Sequence, residues 1–252
     1  MIIQKFGGIA MQNEQMRKIC IEHIKKGIEK HQKIVVVVSA IGRLGDPYAT
    51  DSLLNLTKAF STANAASDLV ASCGELIAVS VLSAELSQAG INNAILHGKQ
   101  SGIVTTGEFG DADIAHIDTS IINEHLKKTN CILIPGFQGM DENGNVMTLG
   151  RGGSDLTAVA LAAELKASHV EFFKDVPGVM TGNPKLVENY RKFDTLIFDE
   201  FIQLLNNKDS IIQKRAALYA KKMAIPLYVR GIAGTESGTW ISFETDPLHR
   251  KQ

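Results

Sequence analysis

Two glycine-rich segments carry the residues best suited to chemistry. Lys5-Phe6-Gly7-Gly8 follows the apolar pair Ile2-Ile3, and Leu149-Gly150-Arg151-Gly152-Gly153-Ser154-Asp155 leads into an Ala/Leu-rich stretch. Glycines where a strand turns into a helix let backbone N–H groups close on an anion, and the helix N-terminus adds partial positive charge. A lysine beside one turn and an arginine beside the other make two anion cradles in one chain. A kinase needs such a pair: one cradle for nucleotide phosphates and one for an anionic acceptor. Neither segment has the G-x-x-x-x-G-K-S/T spacing of a Walker A loop or the G-x-G-x-x-G spacing of a dinucleotide turn. Either alone reads equally well as an ordinary Gly-rich turn, and the joint arrangement carries the kinase reading.

The elements that must position these residues alternate between strand and helix patterns. Ile2 to Phe6 reads as a buried strand, and Met16, Ile19, Cys20, Ile24 and Ile28 space out a helix from Asn13 to Lys30. The β-branched run Ile34 to Val38 is a fully buried parallel strand. A polar loop from Gly42 to Thr50 exceeds the usual strand-to-helix connection, as functional loops tend to. A helix from Ala66 to Ala89 stops at Gly90, a short strand covers Ala94 to Leu96, and Ile117 to Leu126 has a helical pattern. Cys131 to Ile134 is a strand, and Asp141-Glu142-Asn143-Gly144 turns a hairpin between Phe137-Gln138 and Val146-Met147-Thr148. A helix from Ser154 to Leu165, a strand from Val170 to Phe173, helices near Phe198–Leu205 and Ile211–Met223, and strands Leu227–Val229 and Thr239–Ser242 close the chain. The order predicts an α/β fold, a three-layer αβα sandwich on a largely parallel sheet with antiparallel additions. No repeat or linker divides residues 1–252, so one domain with two lobes around a cleft is expected, about 1–145 and about 146–252.

Composition narrows the partners. Of 252 residues, 26 are basic and 27 acidic, for a net charge of −1, which gives no strong field toward nucleic acid or an anionic membrane. Cys20, Cys73 and Cys131 are odd in number and far apart, against a disulfide framework or a C-x-x-C zinc site. Cys20 and Cys131 read as core residues, whereas Cys73 adjoins Gly74-Glu75 without a histidine close by to activate it. The seven histidines lack metal-ligand spacing. The chain begins on a strand without a signal peptide, and no apolar run approaching the ~20 residues of a membrane helix stands out. A cytoplasmic protein is expected.

Together these residues resemble the amino acid kinase family, and within it the catalytic domain of aspartate kinases. The resemblance runs nearly end to end: Lys5-Phe6-Gly7-Gly8, Val35 to Ser39 with Gly42, Asp46-Pro47-Tyr48-Ala49-Thr50-Asp51, Gly74-Glu75, Gly136-Phe137, and Leu149 to Asp155. It continues through Lys174-Asp175-Val176-Pro177-Gly178-Val179-Met180-Thr181, Asn183-Pro184-Lys185, Pro226 to Arg230 and Gly238-Thr239. The Gly42 to Asp51 loop points to aspartate kinases rather than to carbamate, acetylglutamate or uridylate kinases. The resemblance implies transfer of the ATP γ-phosphoryl group to the β-carboxylate of L-aspartate, the first step toward lysine, threonine, methionine and diaminopimelate. Lys5 and Lys174 would be catalytic cations and Asp155 their organiser. Phe6, Gly7, Gly8, Asp175, Met180 and Lys185 would join the two lysines around ATP, Lys185 standing where the family usually has arginine. Arg151 would clamp the acceptor carboxylate, with Gly152 and Gly153 beside it. Glu75 would take the acceptor ammonium, and Ser39, Thr50 and Ser154 would supply hydrogen bonds. Ser39 also reads as a plain strand end, and Glu75 as an exposed helix acid. Mg²⁺ would arrive on the nucleotide phosphates, with the acceptor side in the first lobe and the nucleotide side in the second.

Three features depart from the family pattern. Ile9 and Ala10 stand where Thr-Ser usually follows the glycine pair, removing hydroxyls worth about 1.5–3 kcal/mol each if they touched phosphate directly. Lys208 to Arg215 strays from the usual glycine-alanine-lysine and histidine-proline signature. No ACT regulatory module follows before Gln252. The expectation is an unregulated enzyme, a catalytic subunit with a separate ACT partner, or a shortened chain, self-associating as a homodimer. Two other functions fit the same residues: a kinase for another small carboxylate, and a nucleotide-binding regulatory protein with little turnover.

Overall fold

Every residue of Ile2–Phe6 (β1) and Ile34–Val38 (β2) is buried. The reason is visible in how their side chains divide. Ile3, Val35 and Val37 enter one core, while Ile2, Phe6, Ile34, Val36 and Val38 enter another on the opposite side. Alternation at a period of two sends successive side chains to opposite faces, each covered by helices; β2 is accordingly apolar throughout, whereas β1 buries Gln4 and Lys5 between its apolar residues.

The computed structural model describes residues 1–60, 64–181, 191–205, 211–234 and 237–243. The further strands are β3 (Asn93–Ile95), β4 (Ile103–Thr106), β5 (Asp113–Ile117), β6 (Cys131–Pro135), β7 (Gln138–Met140), β8 (Val146–Thr148), β9 (Val170–Lys174), β10 (Thr195–Ile197), β11 (Leu227–Gly231) and β12 (Thr239–Ser242). The helices are α1 (Gly8–Met11), α2 (Glu14–His31), α3 (Thr50–Leu54), α4 (Asn64–Gln88), α5 (Ser120–His125), α6 (Gly153–Glu164), α7 (Phe198–Leu204) and α8 (Lys214–Lys222).

Eight strands form one sheet in the order β10-β12-β11-β9-β1-β2-β6-β3. The run from β11 to β3 is parallel throughout, and β12 pairs antiparallel with β11. Helices α2 and α4 cover one face and α6, α7 and α8 the other, which is the expected three-layer αβα arrangement. The predicted hairpin is present as β7 and β8, but with β4 and β5 it builds a second, four-stranded sheet. The expected division near residue 145 falls at the turn of that hairpin.

Several boundaries differ from the sequence reading. Ile117 ends β5 rather than opening a helix, and α5 begins at Ser120. Helix α8 starts at Lys214, with Gln213 capping it. Helix α2 starts one residue late because the Asn13 side chain accepts the Met16 N–H at 2.9 Å, a helix N-cap. Contrary to expectation, α4 is long and apolar enough by composition to cross a membrane, at 25 residues. Here Ala71, Ala78, Leu82 and Leu86 bury it as a core helix.

Candidate active site

The chain crosses from β1 to β2 through α2 on one face of the sheet, and from β9 toward β11 through α7 and α8 on the other. β1 and β9 are neighbours, so a crevice opens at their carboxyl ends, where open α/β sheets bind ligands. Lys5 is the penultimate residue of β1, and Lys174 ends β9. Lys5 shares the face of Ile3, and Lys174 that of Phe172, so both look toward α6.

Asp155 waits in the first turn of α6. Its Oδ1 lies 2.7 Å from Lys5 Nζ and its Oδ2 3.5 Å from Lys174 Nζ. Oδ2 also accepts the Gln213 N–H at 3.3 Å. Burial pushes the Asp155 carboxyl upward, but Lys174 and Lys5 overcome it and hold it at about 2. Burial also draws the Lys174 ammonium down to about 8, against the pull of Asp155. Two cations thus share one carboxylate, and the surplus positive charge faces the crevice.

The Gly7-Gly8 turn is pressed against the long loop. Gly42 N–H donates to Gly8 O at 3.0 Å, and a Cβ on Gly8 would lie 2.2 Å from Gly42 O. Gly7, Gly8, Ile9, Arg43, Lys174 and Asp175 line a cavity of about 150 Å³. Arg43 and Asp175 pair across its rim at 3.2 Å. A much wider, shallow depression of about 1420 Å³ between α2 and α4 contains none of these groups.

On the other side, Glu75 projects from α4 and is 1% exposed, which excludes its reading as an exposed helix acid. Its Oε1 accepts the Ala40 N–H at 3.1 Å, and its buried Oε2 has no hydrogen-bond partner among the described residues. Burial pushes the carboxyl up to about 8, opposed by the Ala40 hydrogen bond and, more weakly, by Lys5 and Thr50. An orphaned, buried carboxylate oxygen suits an ammonium ligand. Ser39 is half-buried just past β2, and Thr50 opens α3. Arg151 is exposed on the turn into α6, and Gly152 there has φ 75° with no room for a side chain, since a Cβ would meet Gln213 Cγ at 1.8 Å. Gly153 and Ser154 are buried in the first turn of α6.

Residues 1–231 match the model of the amino acid kinase family. The chain belongs to the amino acid kinase family. Similar curated relatives are aspartokinase 2 of Bacillus subtilis (strain 168), 40% identical over 97% of this chain and 59% of its own length, and aspartokinase 1 of the same strain, 38% identical over 96% and 60%. The chain therefore spans about three fifths of the relatives it matches. Among solved structures, the aspartate kinase from Synechocystis superposes with a TM-score of 0.83 at 32% identity, covering 97% of this chain and 40% of that one. E. coli aspartokinase III in complex with aspartate and ADP superposes at 0.81 with 22% identity over 98% of this chain and 65% of that one, a likeness of fold.

In this member of the amino acid kinase family the expected residues divide unevenly. Lys5, Lys174, Asp155, Gly7, Gly8 and Asp175 gather at the β1–β9 crevice. The Phe6 ring is buried on the opposite face, stacked on Phe173 at 4.5 Å, and its backbone leads into the Gly7-Gly8 turn. Met180 is half-buried in an isolated antiparallel bridge with Lys192, and Lys185 lies outside the described residues. Cys20 and Cys131 are buried, with thiols pushed up to about 12 by burial, which makes them inert as read. Sequence reasoning missed two organisers. Asp68, 2% exposed on α4, accepts the N–H groups of Gly110 (3.0 Å) and Thr148 (2.6 Å). Arg215 donates to Leu149 O (3.2 Å) and Ala112 O (3.0 Å) and pairs with Asp111 and Asp113, bracing the turn that carries Arg151. Only the unusual stretch ending at Arg215 hinted at this.

Proposed function

We propose that this chain is the catalytic unit of an aspartate kinase, transferring the ATP γ-phosphoryl group to the β-carboxylate of L-aspartate to give ADP and 4-phospho-L-aspartate. The carrying observation is the pair Lys5 and Lys174, both held by buried Asp155 at the carboxyl ends of β1 and β9. Phosphoryl transfer asks little covalent chemistry of the protein and much positioned positive charge. Lys5 takes the transferring phosphate beside Gly7 and Gly8, and Lys174 serves the nucleotide side with Asp175. The acceptor enters between Glu75 and Arg151: Oε2 of Glu75 receives the ammonium, and the Arg151 fork receives a carboxylate. Ser39, Thr50 and Ser154 complete the acceptor side. Mg²⁺ would arrive on the nucleotide phosphates and would supply charge that offsets theirs.

Relatives called aspartokinase at 38–40% identity support the acceptor assignment. Ile9 and Ala10 motivate a second reading, a different small carboxylate, because both line the phosphate cavity without hydroxyls. ADP release measured across a panel of amino acids and carboxylates, with hydroxylamine trapping of the acyl phosphate, separates the two. Hydroxamate formed with aspartate alone supports the proposal; turnover confined to another carboxylate overturns it.

A further inference from the structure

We propose that Arg43 is a phosphate-contacting residue of this site, its guanidinium leaving Asp175 for the outer phosphates of a bound nucleoside triphosphate. This rests on the reading of the β1–β9 crevice as the nucleotide site. Arg43 belongs to the long loop, yet it lines the same cavity as Gly7, Gly8 and Lys174. Its backbone is anchored there: Gly42 N–H donates to Gly8 O at 3.0 Å, and Arg43 N–H to Asp46 Oδ2 at 2.8 Å. Asp46 Oδ2 in turn accepts from Gln12 Nε2 at 3.2 Å.

The side chain is held far more loosely than the backbone. Its contact is the 3.2 Å pair with Asp175, and the two side chains are 64% and 45% exposed. An exposed ion pair of that kind is weak. A triphosphate offers several charges and paired oxygens to a guanidinium, which binds them in two-pronged fashion and so outcompetes one carboxylate. Lys5 and Lys174 are already committed to buried Asp155, whereas the partner of Arg43 is at the surface. Ile9 and Ala10 leave the turn without hydroxyl donors, and Arg43 restores donors from the loop side.

Calorimetry on the full chain tests this without turnover, using a non-hydrolysable ATP analogue and AMP as probes. Arg43→Ala should weaken the analogue about tenfold, the loss of one strong charge-assisted contact, and leave AMP binding unchanged. Arg43→Lys should keep part of the affinity, since it retains the charge and loses the fork. Unchanged analogue affinity in Arg43→Ala, or an equal loss for AMP, overturns the proposal. Wild-type protein that binds the analogue yet phosphorylates no aspartate sinks the acceptor assignment and leaves Arg43 standing, whereas wild-type protein that binds no triphosphate overturns both.

Discussion

Asp155 holds two lysines with one carboxylate, so neither lysine depends wholly on the other for its place. Lys5→Ala and Lys174→Ala should each lower turnover by about 10²–10³-fold, the usual cost of deleting a group aimed at transition-state charge. The fold should survive, because Asp155 keeps one cation in either variant; near-normal initial rates would remove the assigned roles. Arg151→Ala should instead raise the KM for the acceptor and leave ATP affinity nearly intact, and calorimetry showing the reverse would move Arg151 to the nucleotide half. Glu75 adds a pH signature. Burial raises its carboxyl from 4.5 to about 8, so between those values the native state binds a proton that the unfolded chain does not. Its contribution to stability is full below pH 4.5 and is lost as pH rises through about 8. Glu75→Gln cannot titrate and should flatten that part of the profile in urea melts, while wild type keeps the slope. An acceptor ammonium requires the ionised form, so acceptor binding at neutral pH should release a proton, read by calorimetry in buffers of different ionisation enthalpy.

Between elements, the proposed acceptor side is braced by contacts that join distant stretches of chain. Asp68 ties α4 to the loop before β5 and to β8 through two N–H groups. Asp68→Ala leaves both donors without that partner and should cost about 1–3 kcal/mol for each one that stays buried, measured by denaturant unfolding; a loss within ~0.5 kcal/mol, as for an ordinary surface change, would show that water replaces it. Such contacts explain what the sequence could and could not disclose. β2 and β6 were legible because a strand covered on both faces reads as a continuous apolar run, and β1 from its apolar residues Ile2, Ile3 and Phe6 ahead of the glycine pair. Helices α2, α4 and α6 were legible from their spacing and stops. β4, β5 and β10 were not, since short strands such as Asp113–Ile117 mix exposed and buried positions and give no clean period. The lysines and Asp155 were recognisable by motif, but their shared face follows only from which helix covers the sheet. Asp68 and Arg215 bind backbone groups far along the chain, and no local pattern records that.

Across the whole molecule, one sheet carries the two lysines of the proposed site, and the helix layers change face between β1 and β9. One contact at that junction has a thermodynamic consequence. The Gly42 N–H bond to Gly8 O joins the loop that leads to Thr50 with the turn proposed to receive phosphate, and there is no space there for a side chain. Ordering either partner therefore orders the other. A nucleotide that settles the turn spares the amino acid part of the entropy of fixing its own loop, so the two substrates should bind with positive heterotropic cooperativity. Linkage makes the factor reciprocal: whatever aspartate does to the Kd of a non-hydrolysable nucleotide, the nucleotide must do to the Kd of aspartate. Titrating each ligand in the absence and presence of the other measures that factor twice. A value of one in both directions would mean that the loop and the turn touch without conversing.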